Sequence, residues 1–189
     1  HVQQFILQRQ NQRAMRPPRQ RDIFGGQAEA ALRTWLAGQF TLSERRILEY
    51  EERRNRRAFT KYRELDALIF EDPRLPWVFE VKASRAADSL RRAVRQLEET
   101  RAILRLLYPR VYATILLVDT GIPTAEDQAA HNAEAGEPPE TLAQVLATLP
   151  NLTLLNSLDE RTRHSQGIDV LAFTVDDIIA LAGAEHLQL

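Results

Sequence analysis

Cysteine is absent from the 189 residues. That excludes structural disulfides, thiolate catalysis and cysteine-held zinc, and makes a reducing, cytoplasmic setting the default expectation. Long apolar runs are missing too: none approaches the roughly 18–20 residues of a membrane helix, so no membrane partner is expected. No apolar core followed by a small-residue cleavage site opens the chain, so no secretory signal is read. Seven Gly and nine Pro are too few for a collagen-like or linker-dominated chain. Lysine is nearly missing: of 25 basic residues only Lys61 and Lys82 are not arginine. Arginine replaces a generic surface lysine but not one whose chemistry needs an amine, so both lysines merit scrutiny.

What is present is ordinary in amount and unusual in arrangement. Hydrophobic residues at 44% and charged residues at 27% suit one globular domain with a sizeable core. The net charge of −1 hides a division: residues 1–63 hold 14 Lys+Arg against 6 Asp+Glu (+8), and residues 64–189 hold 11 against 20 (−9). Either the first half meets an anionic partner, or two solvated faces satisfy each other.

Residues 1–16 read as a short helix with apolar and arginine stripes, stopped by Pro17-Pro18. Residues 1–22 therefore form a basic N-terminal helical arm, a grip for nucleic acid or a second subunit or simply a frayed end. Residues 23–189 form a single α/β domain. After Gly25-Gly26 a helix is predicted over residues 27–40, with Ala28, Ala31, Leu32, Trp35 and Leu36 inward. Residues 45–57 suit helix or strand, 62–70 and 77–83 are strands, and Asp72-Pro73 marks a turn between them, giving a hairpin with a loop of about five residues. A long helix capped by Ser84 or Asp88 runs to about Tyr108, and 111–118 is a strand buried on both sides. An acidic loop without Lys or Arg covers 120–139; then come a helix at 140–149, strands at 152–155 and 168–173, and a helix at 175–182 capped by Thr174. This order predicts a mixed sheet flanked by helices.

The chemistry concentrates in Glu80-Val81-Lys82 and Asp66. Alternation puts Glu80 and Lys82 on one face of their strand, and hairpin pairing lets Asp66 approach Glu80. The neighbours Leu65, Ala67, Trp77, Val78 and Phe79 are apolar, and two carboxylates buried together are costly without a compensating cation. Mg²⁺ or Mn²⁺ held by Asp66, Glu80 and a backbone carbonyl beside Glu80 compensates, with Lys82 close enough to orient a water or neutralise a phosphate. The bland alternative is that Asp66–Lys82 and Glu80–Lys82 are exposed salt bridges worth under about 1 kcal/mol each.

Asp66 in Arg63-Glu64-Leu65-Asp66, then fourteen residues later Phe79-Glu80-Val81-Lys82-Ala83-Ser84, resembles the PD-(D/E)XK nuclease superfamily over residues 25–118. Leu65 stands where the motif has proline. Thr100, four after Gln96, is not the tyrosine of the RecB-like subgroup, which that departure leaves unassigned. The resemblance implies a restriction-endonuclease-like core, a strand within 45–57 and a Mg²⁺-dependent endonuclease acting on DNA. It implies catalytic roles for Asp66, Glu80, Lys82 and Gln96, with Asp66, Glu80 and Glu29 holding metal. Arg53, Arg54, Arg56 and Arg57 are expected to neutralise a nucleic-acid backbone. A non-catalytic module of the same fold, binding nucleic acid or protein, is the alternative. Cutting both strands with so small a domain points to a homodimer; duplex, branched, single-stranded and RNA substrates stay open.

Other patterns carry less. Asp119-Thr120-Gly121 has the aspartic-protease letters but reads as a turn, and Gly25-Gly26 lacks the lysine of a phosphate loop. Arg161, Arg163 and His164 read as a solvated turn.

Overall fold

The computed structural model describes residues 2–5, 20–55, 57–131, 136–163 and 166–183. The described residues form two sheets. The smaller runs β1 (Val2–Phe5), β2 (Ile47–Arg54) and β3 (Arg57–Glu64), all antiparallel. The larger is built from β4 (Ala67–Asp72), β5 (Leu75–Ser84), β6 (Tyr112–Asp119), β7 (Leu152–Leu155) and β8 (Ile168–Thr174), in the order β4-β5-β6-β8-β7. Only the β4–β5 pair is antiparallel. Among the described residues five α-helices accompany them: α1 (Gln20–Ala37), α2 (Ser89–Leu104), α3 (Ala125–Ala129), α4 (Leu142–Thr148) and α5 (Val175–Ala182). The expected mixed sheet flanked by helices is present.

Alternation along the strands divides the interior into two cores. Val78, Ile115, Leu117 and Val170 pack under α2, whose Leu90, Val94, Leu97 and Leu104 recur at helical spacing. Trp77, Phe79, Leu116 and Val118 pack on the other face with Ala28, Leu32 and Leu36 of α1 and Ile178 of α5. Central β6 is buried along nearly its whole length, because helices cover it on both sides.

Several expectations need correction. Val2–Phe5 is a strand paired with β2, not the start of a helix; pairing with an available sheet edge outweighs a weak four-residue periodicity. The rest of the expected 1–16 helix lies outside the described residues. Helix α1 starts at Gln20, so Gly25-Gly26 sits inside it rather than before it. Residues 62–70 are two strands, because the chain leaves the small sheet after Glu64 and enters the large one at Ala67. At that break Leu65 donates its N–H to Arg46 O (2.8 Å) and its carbonyl accepts from Arg46 Nη1 (3.1 Å). The β4–β5 turn is tighter than expected: Pro73-Arg74 suffice, with Asp72 Oδ1 accepting from the Arg74 N–H at 2.7 Å. Asp88 occupies the cap position of α2 but its side chain pairs with Arg91, while Ser84 Oγ accepts from Ala86. Asp119-Thr120-Gly121 is a turn: Asp119 Oδ1 accepts from Gly121 (2.8 Å) and Ile122 (2.6 Å), with Gly121 at φ +112°, where glycine is favoured. Thr174 caps α5 through a reciprocal bond with Asp177, as read from the sequence.

Candidate active site

The antiparallel register of β4 with β5 ends at Ala67 opposite Phe79. Asp66 therefore stands one residue outside the ladder, level with Glu80. Its carboxylate takes the place of the missing strand: Oδ2 accepts from the Val81 N–H at 2.7 Å. In an extended strand a residue's N–H and C=O point to the same side, so the Val81 carbonyl faces the same edge. Arg33 of α1 holds the Asp66 carbonyl through Nη1 at 3.0 Å.

Glu80 and Lys82 share the α2 side of β5 with Val78, whereas Val81 packs toward the α1 core. Glu80 is only 8% exposed. Burial, then the neighbouring Asp66 charge, push its carboxyl up to about 8; Lys82 and Arg63 offset this in part. Asp66 is also raised, first by burial, although its Val81 hydrogen bond and Arg46 pull the other way. Glu29, on α1, is raised by burial and then by Asp66, with Arg46 and Arg33 opposing. The three carboxylates thus feel one another across the open end of β4. Cations ring them: Arg46, paired with Glu64 at 2.6 Å, Arg33, Arg63 and Lys82. Among the described residues Lys82 forms no salt bridge, so the exposed-ion-pair alternative does not describe this arrangement.

Asp66 and Glu80, with the Val81 carbonyl, offer hard oxygen donors of the kind Mg²⁺ or Mn²⁺ takes. No group of three or more His, Cys, Asp or Glu side chains that could hold a metal ion occurs among the described residues. The expected three-carboxylate set with Glu29 is therefore not formed, and a cation there would meet at most Asp66, Glu80 and the Val81 carbonyl.

Gln96 lies on the exposed face of α2. It lines a cavity of about 250 Å³ with Arg63, Arg92, Arg95 and Glu99. Among the described residues its side chain makes no hydrogen bond, whereas its main-chain carbonyl accepts from Arg63 Nη1 (2.8 Å) and Thr100 Oγ1 (2.9 Å). Arg53, Arg54 and Arg57 sit at the far end of the β2–β3 ribbon, where Arg54 opposes Arg57 and Asn55 turns at φ +51°. Seven residues separate that tip from the Ile47–Glu64 base, roughly 23 Å at strand rise, so these arginines are not brought to the carboxylates. Arg56 and His164 lie outside the described residues.

The patterns above singled out neither Arg33, Arg46 nor Arg63. The only signal for Arg63 is its position three before Asp66; for Arg92 and Arg95 it is a spacing of three, four and seven with Gln96 and Glu99. Arg161 is no solvated turn residue: it lies 4.7 Å above the Trp77 ring and pairs with Glu71. Among the described residues no helix is long and apolar enough to cross a membrane. No protein-family model, curated protein or solved structure matches the chain.

Proposed function

We propose that the chain is a metal-dependent phosphodiesterase, a nuclease acting on DNA, with its site at the open end of β4. One observation carries this reading: Glu80 is buried beside Asp66, its carboxyl raised to about 8, with an unpaired lysine two residues on. A fold gains nothing from holding such a group for stability alone, since burying like charges together destabilises. The arrangement makes sense if a cation binds there. The resemblance of Asp66 and Glu80-Val81-Lys82 to the PD-(D/E)XK motif, and an antiparallel β4–β5 pair followed by α2 and parallel β6, support the same reading and a restriction-endonuclease-like core.

Asp66 and Glu80 would hold Mg²⁺ or Mn²⁺ together with the Val81 carbonyl. When bound, such an ion polarises a phosphodiester oxygen and lowers the pKa of water. Lys82 would orient the attacking water or offset charge building on the phosphate. Arg63 would hold the substrate side of Glu80, and Glu29 would keep the local field negative enough to favour a cation. The tip arginines would neutralise backbone phosphates away from the cut. A homodimer would supply the second site needed to cut both strands, and light scattering with and without DNA tests that.

Plasmid, linear duplex, single-stranded DNA and RNA, each incubated with Mg²⁺, Mn²⁺ or EDTA, form the test. Cleavage is expected with metal, absent in EDTA, and reduced about a hundredfold or more in Lys82→Ala. A wild type silent on every substrate with both metals sinks the enzyme reading.

A second reading, a non-catalytic module of the same fold, has an observation in its favour. Arg33 and Arg46 already offset Glu29, and Arg46 offsets Asp66. Calorimetric titration with Mn²⁺ separates the two. Binding lost in Asp66→Asn supports the enzyme, and no binding in wild type supports the module.

A further inference from the structure

The outer stripe of α2 faces the end of β3 across the cavity of about 250 Å³ lined by Arg63, Arg92, Arg95, Gln96 and Glu99. Residues 92, 95, 96 and 99 share one helix face by their spacing, opposite the apolar face that covers the sheet. Arg63 is fixed in the cavity wall. Its Nη1 donates to Gln96 O (2.8 Å) and Thr100 Oγ1 (2.9 Å), and its Nη2 to Glu99 Oε2 (2.7 Å). A guanidinium has five N–H donors, so two remain for a ligand. Arg92 and Arg95 are exposed and make no ion pair among the described residues. Three arginines against one glutamate leave a concave site of net charge about +2. The Gln96 amide adds neutral donors. Arg63 is also close enough to offset the Glu80 charge, which joins this cavity to the carboxylate site.

We propose that this cavity binds a phosphate group of a nucleic-acid strand, holding the backbone beside the bond to be cut. The inference rests on the phosphodiesterase reading for what happens next, but not for the binding itself, which needs no metal. Planar guanidinium forks fit phosphate oxygens in pairs. Glu99 acts as an internal counter-anion: it occupies Arg63 until a phosphate competes for the same donors. Thr100 and the Gln96 carbonyl then keep Arg63 in place, so the site is preformed.

The test is fluorescence anisotropy of a labelled 20-base-pair duplex in EDTA, over a range of salt concentrations. Arg92→Ala/Arg95→Ala is expected to weaken binding about tenfold at low salt. It should also lower the slope of log affinity against log salt by about one, the signature of one lost phosphate contact. Glu99→Gln should tighten binding several-fold, because it removes the competing anion. Arg74→Ala/Arg110→Ala, exposed arginines elsewhere, controls for net charge alone. Equal losses in both double variants, or affinity unchanged by either Arg92→Ala/Arg95→Ala or Glu99→Gln, overturn the proposal. Metal-dependent cleavage that persists undiminished in Arg92→Ala/Arg95→Ala removes the cavity and leaves the nuclease reading intact. Duplex binding that follows these expectations in a protein that never cuts keeps the cavity and removes the nuclease.

Discussion

Glu80 binds a proton in the folded chain that it releases when unfolded, because its carboxyl is raised from an ordinary 4.5 to about 8. Between those values the native state carries more protons than the unfolded one, so stability falls as pH rises. In EDTA the urea midpoint should drop from pH 5 to pH 8, by a free energy of order a few kcal/mol. Glu80→Gln should flatten that slope; a midpoint that rises with pH in wild type contradicts the burial argument. A different kind of residue-scale dependence sits at Arg101, whose Nη1 and Nη2 donate to the Gly167 (2.7 Å) and Gln166 (3.1 Å) carbonyls from a buried position. Arg101→Ala leaves both carbonyls without that donor and should cost about 1–3 kcal/mol in denaturant unfolding. The letters Asp66, Glu80 and Lys82 were legible in the sequence as a cluster, since strand alternation and a hairpin suffice to gather them. The roles of Arg33, Arg46 and Arg101 were not. Each reaches a backbone carbonyl 19 to 66 residues away, and no local pattern encodes such a reach.

At the scale of elements, local rules worked where a side chain acts on its own backbone. The Thr174–Asp177 capping box gives α5 its start, and Thr174→Ala should cost about 1 kcal/mol in thermal or urea unfolding. Rules failed where tertiary contacts overrode a break signal. Gly25-Gly26 reads as a break ahead of the helix, yet α1 runs through it, because Phe24 on one side and Ala28 on the other both pack against the core that holds Trp77 and Phe79. A Cβ at Gly26 meets nothing within 4 Å, so Gly26→Ala should stabilise the protein by about 0.5–1 kcal/mol, chiefly by restricting the unfolded chain. A loss on that substitution means the helix tolerates glycine for a reason of its own. The single strand expected over residues 62–70 failed for a complementary cause. Both halves have strand composition, and the break falls where Leu65 pairs with Arg46 and Asp66 with Val81.

Across the whole molecule, near-neutrality in sum coexists with strong local fields. The ribbon tip and the α2 stripe are basic, while the residues after Asp119 are acidic. Net charge of −1 on its own predicts no salt-sensitive affinity for DNA. Separated charge predicts the opposite: log affinity should fall linearly with log salt, by about 0.9 for each duplex phosphate neutralised. Anisotropy from 50 to 200 mM salt reads this directly, and an affinity indifferent to salt assigns the basic half to internal balance. The two-layer interior was visible in advance through the apolar runs of β6 and the periodicity of α2. The division into two sheets was not, since it depends on which strands meet rather than on what each contains.

One hydrogen bond described above ties folding to chemistry. Because Asp66 Oδ2 occupies the slot where the β4 ladder would continue at Val81, it acts as a register lock on the hairpin. A slip of two residues would keep the inward and outward alternation of both strands and cost little in apolar packing alone. It would, however, carry the carboxylate away from its amide and leave that N–H without an acceptor. Folding errors are thus penalised at the same atom that the proposed chemistry needs. Asp66→Asn, which keeps an oxygen for Val81, and Asp66→Ala, which does not, separate the loss of a charge from the loss of the lock.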